Sequence, residues 1–232
     1  MIWYQNSTAI GRDKKWLPYE HALKNHVQEV SSKNVDWVFR GVDAGEAELE
    51  KFKDIDDLRK EYFVRNALRA ESEAYAGFAV GCWQDHGYNE IRSKKIPAIS
   101  VAEATVHSMM MVGRHPGLIV PSNHDEDLIK NHMKYYGIDS NLFAFEVCTL
   151  ERDLLLSAFA DATDFIHSIK SVADKLLYKK VDVLAFGCVI FNEIFYKHKG
   201  FTLMSIPIMD CVGILVKTME MVIDLNSSKR NP

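Results

Sequence analysis

Four cysteines, Cys82, Cys148, Cys188 and Cys211, are the residues of this chain best suited to chemistry, and two of them share one local setting. Gly77-Phe78-Ala79-Val80-Gly81-Cys82 is followed by Asn89-Glu90-Ile91, and Val183-Leu184-Ala185-Phe186-Gly187-Cys188 by Asn192-Glu193-Ile194. Each is an apolar strand ending in Gly-Cys. A cysteine in an apolar strand is ordinarily small core filling, and Cys148 and Cys211 suit that role. Cys82 and Cys188 differ because each stands where a strand gives way to a helix start. The helix dipole and free backbone N–H groups there lower a thiol's pKa and favour the thiolate, while the preceding glycine lets the chain turn sharply and a ligand approach the backbone. An echo of this length also arises by chance. Two related half-structures facing a shared cleft account for it better, because ligands of open α/β sheets bind beyond the carboxyl ends of the strands.

Short apolar runs alternate with longer amphipathic stretches along the chain, the pattern of parallel strands joined by helices. Strands are predicted near Ile2–Gln5, Asp36–Gly41, Gly77–Gly81, Ala98–Val101, Gly117–Pro121, Leu142–Val147, Val181–Phe186 and Leu203–Ile206. Val212, Leu215, Val216, Met219 and Val222 line one face of a C-terminal helix, and Pro18 suits the first helical residue after a loop. The fold class is α/β. Met109-Met110-Met111 reads as core filling beside a helix.

Bulk properties exclude several functions. The 232 residues are 47% hydrophobic, enough to fill the core of one large domain or two small ones. Lys and Arg number 28 against 32 Asp and Glu, for a net charge of -4, and the basic residues form no tract. No nucleic-acid partner is expected. The longest apolar run, Val183 to Phe191, is half or less of the roughly 20 residues a spanning helix needs, and the first residues show no basic leader, so no membrane partner and a cytoplasmic location are expected. Four widely spaced cysteines make neither a disulfide scaffold nor, with nine histidines lacking ligand spacing, a metal site. With no G-x-G-x-x-G after a strand, no P-loop and no lysine in a cofactor setting, no cofactor is expected.

Five landmarks, in order along nearly the whole chain, resemble the aspartate/glutamate racemase superfamily, and within it the hydantoin and allantoin racemase branch. Tyr4-Gln5-Asn6-Ser7-Thr8 stands where those proteins carry Asn-Pro-Asn-Thr, and Cys82-Trp83-Gln84-Asp85-His86-Gly87 where they carry Cys-Phe-x-Asp-Pro-Gly, with Asp85 and Gly87 matching and the proline absent. Pro97-Ala98-Ile99-Ser100-Val101-Ala102-Glu103-Ala104 is similar to Pro-Val-x-Gly-x-x-Glu-Ala. Phe186-Gly187-Cys188-Val189-Ile190-Phe191 corresponds to Leu-Gly-Cys-Thr-Gly-Met, and Pro207-Ile208-Met209-Asp210 to Pro-Val-Ile-Asp. The resemblance implies two pseudo-two-fold-related α/β domains with parallel sheets and an active-site cleft between them, one cysteine from each side. Residues 1–101 plus 208–232 would form a discontinuous first domain carrying Cys82, and 102–207 the second, carrying Cys188. It also implies a homo-oligomer.

On this reading the chain is a cofactor-independent isomerase, a racemase or epimerase. Inverting a carbon needs a base on one face and an acid on the other, and a thiolate and a thiol on opposite walls can exchange those roles. The enolate-like intermediate needs fixed donors, expected from the N–H groups after Cys82 and Cys188 and from Asn6, Ser7, Ser122 and Asn123. Thr8, Trp83, Asp85, Val189 and Ile190 complete the expected substrate-binding set. Blander roles stand beside these. Ser122, with Asp125 three residues on, also suits a helix N-cap. Asn6, Ser7 and Thr8 also suit a backbone-satisfying loop, Glu103 a helix-start carboxylate, and His86 a solvated loop position. Val189-Ile190-Phe191 in place of Thr-Gly-Met removes a hydroxyl and a small residue, and Trp83 and His86 reshape the opposite wall, which argues against a standard hydantoin or allantoin; the expected substrate is a small cyclic amide, hydantoin-like, or an amino-acid-like compound. Two alternatives are a cysteine-dependent isomerase, lyase or hydrolase working through a covalent adduct, and a non-catalytic small-molecule binding protein.

Overall fold

The computed structural model of the chain describes residues 1–42, 55–198 and 206–228. Two parallel sheets organise them. In the first, β1 (Ile2–Gln5) lies between β2 (Trp37–Arg40) and β3 (Gly77–Val80), with β4 (Ala98–Ser100) beyond β3. In the second, β5 (Pro116–Val120) lies between β6 (Ala144–Val147) and β7 (Val183–Phe186). Ile2 pairs with Trp37 on one side and Gly77 on the other, as Gly117 pairs with Ala144 and Leu184. Strands β1, β3, β5 and β7 are buried at every residue. Burial on both faces is why they read as unbroken apolar runs rather than as alternating ones.

Nine α-helices among the described residues cover the sheets: α1 (Leu17–Val30), α2 (Ile55–Ser72), α3 (Tyr88–Arg92), α4 (Val101–Val112), α5 (Asn123–Tyr135), α6 (Arg152–Ser157), α7 (Thr163–Tyr178), α8 (Val189–Lys197) and α9 (Cys211–Ser228). Pro18 sits in the first turn of α1, whose Tyr19, Leu23 and Val27 fall on one buried stripe. In α9, Val212, Leu215, Val216 and Met219 are fully buried, Val222 partly so, and the helix packs on β3, β4, α1 and α4.

The topology explains the echo in the sequence. Strand order β2-β1-β3 repeats as β6-β5-β7, so β3 with Cys82 and β7 with Cys188 are equivalent positions. The likeness extends one element further: β4 pairs with β3, and Ile208 makes a parallel bridge to Leu184 of β7. Of the strand predicted at Leu203–Ile206, residues 203–205 lie outside the described residues. The strand predicted from Leu142 starts at Ala144 instead, because Ser140–Leu142 forms a 3-10 turn capped by Asp139. The methionine run is corrected too: Met109 is buried in the core, whereas Met110 and Met111 face outward at the end of α4.

Candidate active site

The carboxyl ends of the strands of both sheets open onto one cavity of about 580 Å³. From the first sheet come Asn6, Ser7 and Thr8 after β1 and Gly81, Cys82, Trp83 and Gln84 after β3. From the second come Pro121 and Asp125 after β5, Leu150, Glu151 and Arg152 after β6, and Gly187 through Phe191 after β7. Trp16, Tyr19 and Arg59 close the remaining wall. Both cysteines therefore line the same space from topologically equivalent strand ends.

Their local settings are alike only in part. Cys188 is the N-cap of α8, and the N–H groups of Ile190 and Phe191 face its sulfur. Cys82 is followed by a turn through Asp85 and Gly87, both with left-handed backbone (φ 47° and 68°), before α3 begins at Tyr88. No helix N-terminus therefore abuts it directly, and its sulfur meets the Ser7 side chain, the Gln84 N–H and, at 4.0 Å, Gln84 Oε1.

The thiols are also not depressed as helix-start cysteines are expected to be. Burial pushes Cys82 up to about 11, against the Ser7 and Gln84 hydrogen bonds and the Arg59 charge. Burial pushes Cys188 up to about 12, against the two helix N–H groups, with Asp125 and Cys82 adding to the rise. Desolvation of a small anion outweighs two hydrogen bonds at each sulfur. The glycines have a different role from the expected one as well. Neither Gly81 nor Gly187 has positive φ; a Cβ at Gly81 would overlap the Tyr4 ring, and one at Gly187 would stand 2.7 Å from Val120 Cγ1. They admit close packing beneath the cysteines rather than a sharp turn.

The loop after β1 is tightly built. Asn6 Oδ1 accepts from Thr8 N at 2.9 Å and Thr8 Oγ1 at 2.8 Å, and Asn6 Nδ2 donates to Tyr19 Oη at 2.7 Å. Asn6 thus spends most of its hydrogen-bonding capacity shaping the wall. Trp83, Val189 and Ile190 line the cavity as expected for substrate-binding residues.

Asp85, Ser122 and Asn123 do not line it. Asp85 is buried behind Cys82, accepts from Ser100 Oγ at 3.1 Å, and burial holds its carboxyl well above the usual range. Ser122 caps α5: its Oγ accepts from Asp125 N at 3.1 Å and donates to Asp125 Oδ2 at 2.5 Å, so the hydroxyl is occupied. Asn123 is the first helical residue beyond that cap. His86 is not solvated; it packs on Phe63, and burial, with the Arg59 charge, lowers it to about 3. Glu103 is buried, accepting from Tyr88 Oη and from Arg92 Nη1 at 2.8 Å.

Residue types that sequence reasoning missed supply the polarity of the cavity. Arg59, on α2, is about a quarter exposed, donates no hydrogen bond among the described residues, and has Asp56 as its ion-pair partner at 3.6 Å. Gln84 Nε2 donates to Asp125 Oδ1 at 2.7 Å, linking the Cys82 turn to α5 across the cavity. Glu151 and Arg152 were legible by the strand-end rule, since they follow β6; nothing local marks Arg59. No cluster of three or more metal-ligating side chains occurs among the described residues, and none of the described helices is long and apolar enough to cross a membrane.

Residues 19–219 match the family model described as Asp/Glu/Hydantoin racemase, and the chain belongs to that family, a family of isomerases. Its fold is similar to that of allantoin racemase from Klebsiella pneumoniae, at 16% identity over 97% of this chain and 89% of that one, with a TM-score of 0.75. Allantoin racemase from Pseudomonas fluorescens matches at 15% identity over 97% and 91%, TM-score 0.69, and an aspartate racemase homologue from Pyrococcus horikoshii at 13% over 97% and 98%, TM-score 0.63. No curated protein matches the chain.

Proposed function

We propose that the protein is a cofactor-independent racemase or epimerase in which Cys82 and Cys188 remove and return a proton at a carbon beside a carbonyl group. The observation that carries this is the arrival of two thiols from equivalent strand ends at one cavity large enough for a small molecule. One sulfur, as thiolate, takes the proton from the carbon and becomes a thiol; the electron pair moves onto the carbonyl oxygen. The other thiol then gives its proton to the opposite face and becomes the thiolate. The working form carries one ionised sulfur, a minority species in the empty cavity because both thiols are held up. Ser7 and the N–H groups at Gln84, Ile190 and Phe191 stabilise the anionic sulfurs.

Asn6, Ser7, Thr8, Trp83, Val189 and Ile190 form the substrate-binding set of this proposal. A small cyclic amide suits the apolar Trp83 and Ile190 walls, and an amino-acid-like compound suits Arg59, whose guanidinium lines the cavity. We assign residues 1–101 plus 208–232 to one domain and 102–207 to the other, a division supported by the packing of α9 on β3 and β4. Four free cysteines suit a reducing compartment and support the cytoplasm; homo-oligomer formation, also proposed, is read by sedimentation velocity.

The test is proton NMR of the full chain in heavy water with two substrates in parallel, a 5-substituted hydantoin and aspartate. Loss of the C–H signal together with appearance of the opposite enantiomer, with no mass added to either cysteine peptide, is the expected result. A trapped covalent adduct without exchange points instead to the adduct chemistry. Neither exchange nor adduct with any carbon acid in a wider panel leaves a binding protein.

A further inference from the structure

Behind the cavity, where α1, α8 and the turn before α9 meet, lies a charge cluster that the proton-transfer scheme does not use, with His26 and Glu193 buried and Asp210 partly exposed. His26, on α1, has a fully buried side chain; its Nδ1 is 2.8 Å from Glu193 Oε1 and its Nε2 2.9 Å from Asp210 Oδ2. A neutral imidazole has one N–H and can donate to only one of two carboxylates; an imidazolium serves both. Asn192 Nδ2 braces the same pair, 3.2 Å from Glu193 Oε1 and 3.1 Å from Asp210 Oδ1. Tyr196 stacks on the imidazole face with centroids 3.3 Å apart and is itself bonded to Glu29. A small hollow over this stack is lined by His21, Glu29 and Lys197; α1 also carries the Glu20–Lys24 pair, and the Glu193 charge is felt at Tyr4, Tyr19 and Cys211. Burial alone would lower His26, but its bonds to Asp210 and Glu193 hold it up at about 9.

The cluster connects to both thiols. Glu193 and Asn192 belong to α8, the helix that Cys188 caps. On the other side, Asp210 is followed by Cys211, whose N–H donates to Asn192 Oδ1 at 3.0 Å and whose sulfur meets the Trp83 side chain, next to Cys82. We infer that His26 is a positioning residue for the cysteine pair: as an imidazolium it ties the Cys188 helix to Asp210 at the start of α9, whose Cys211 lies against Trp83, and so fixes the separation of the two sulfurs. It does not line the cavity and touches no reacting atom. Without its second proton, two carboxylates face each other across one remaining bond, and the tie loosens. The purpose given to the tie rests on the two-cysteine reading; the geometry does not.

The test reads geometry without needing turnover. A graded series of bifunctional thiol reagents is applied to the full chain at pH 7.5 and pH 10, and the yield of Cys82–Cys188 bridging is normalised to single labelling at each cysteine. The expected result is one favoured reagent length at pH 7.5, with its normalised yield falling at least threefold at pH 10 in the wild type and at both pH values in His26→Gln. Nitrogen NMR of the wild type at pH 7.5 is expected to show both His26 ring nitrogens protonated. If His26→Gln does not fold, the wild-type pH comparison and Glu193→Gln, which is expected to lower the yield in the same way, stand in its place. Equal bridging in all samples, or a bare His26 nitrogen at pH 7.5, overturns the inference. Bridging that depends on His26 in a protein that exchanges no carbon-bound proton would leave the inference standing and remove the two-cysteine reading instead.

Discussion

Raising the pH of the ligand-free protein from 7 to 10 is expected to raise the iodoacetamide labelling rates of Cys82 and Cys188 about tenfold per pH unit, with no plateau. Only the thiolate reacts. A free thiol with a pKa of about 8.5 is roughly a quarter ionised at pH 8. With Cys82 pushed up to about 11 and Cys188 to about 12, the ionised fractions at that pH fall to about one in a thousand and one in ten thousand. Cys82 should therefore label at least 100-fold more slowly than an unperturbed thiol at pH 8, and Cys188 more slowly again unless its greater exposure compensates. Peptide mapping by mass spectrometry after timed quenching separates the four sites, with buried Cys148 and Cys211 as slow internal controls. A plateau below pH 9 at either cavity cysteine would refute the argument that desolvation outweighs the hydrogen bonds at these sulfurs.

Asp125→Asn removes a carboxylate whose charge helps hold Cys188 up, so the labelling of Cys188 should shift to lower pH by more than that of Cys82; equal shifts would contradict the assignment. Gly187→Ala places a Cβ 2.7 Å from Val120 and 3.2 Å from Ile129 and should cost about 1–3 kcal/mol in urea unfolding, with an unchanged midpoint as the contrary result. Asp85→Asn should stabilise the protein at pH 7. The Asp85 carboxyl is held well above its usual range, so the wild type loses stability as pH climbs past the unfolded value of about 4, and the variant does not. The gap between their melting temperatures should close at and below about pH 4; a gap that is absent at pH 7, or constant with pH, would tell against the protonated carboxyl.

How far the site was legible depended on whether a residue announced itself in one dimension. Gly81-Cys82 and Gly187-Cys188 did, because burial on both faces makes β3 and β7 continuous apolar runs whose ends are sharp. The equivalence of those ends is a matter of strand order, which sequence suggests only through the echo. Burial was less legible. The sequence places Cys188 at a helix start, where a lowered pKa is expected, and says nothing of the surrounding walls that reverse the shift. Asp85 matches the family motif beside Cys82, yet its left-handed backbone turns the chain and leaves the carboxyl inside the fold. Ser122 carried two readings, and the N-cap of α5 is the one seen, while its partner Asp125 lines the cavity. Arg59 reaches the site from the N-terminal part of an otherwise ordinary charged helix, so tertiary packing alone reveals it. His26, Glu193 and Asp210 are far apart in the chain and meet only because α1, α8 and the turn before α9 pack together.

On the two-cysteine proposal, inversion at carbon needs both sulfurs. Its most direct measurement is the rate of enantiomer interconversion, in each direction, for wild type, Cys82→Ser and Cys188→Ser, once a substrate has been found by exchange. A hydroxyl is a far weaker acid than a thiol, so each single variant should lose at least a thousandfold in both directions while keeping its fold. Interconversion within tenfold of wild type in either variant would contradict the claim.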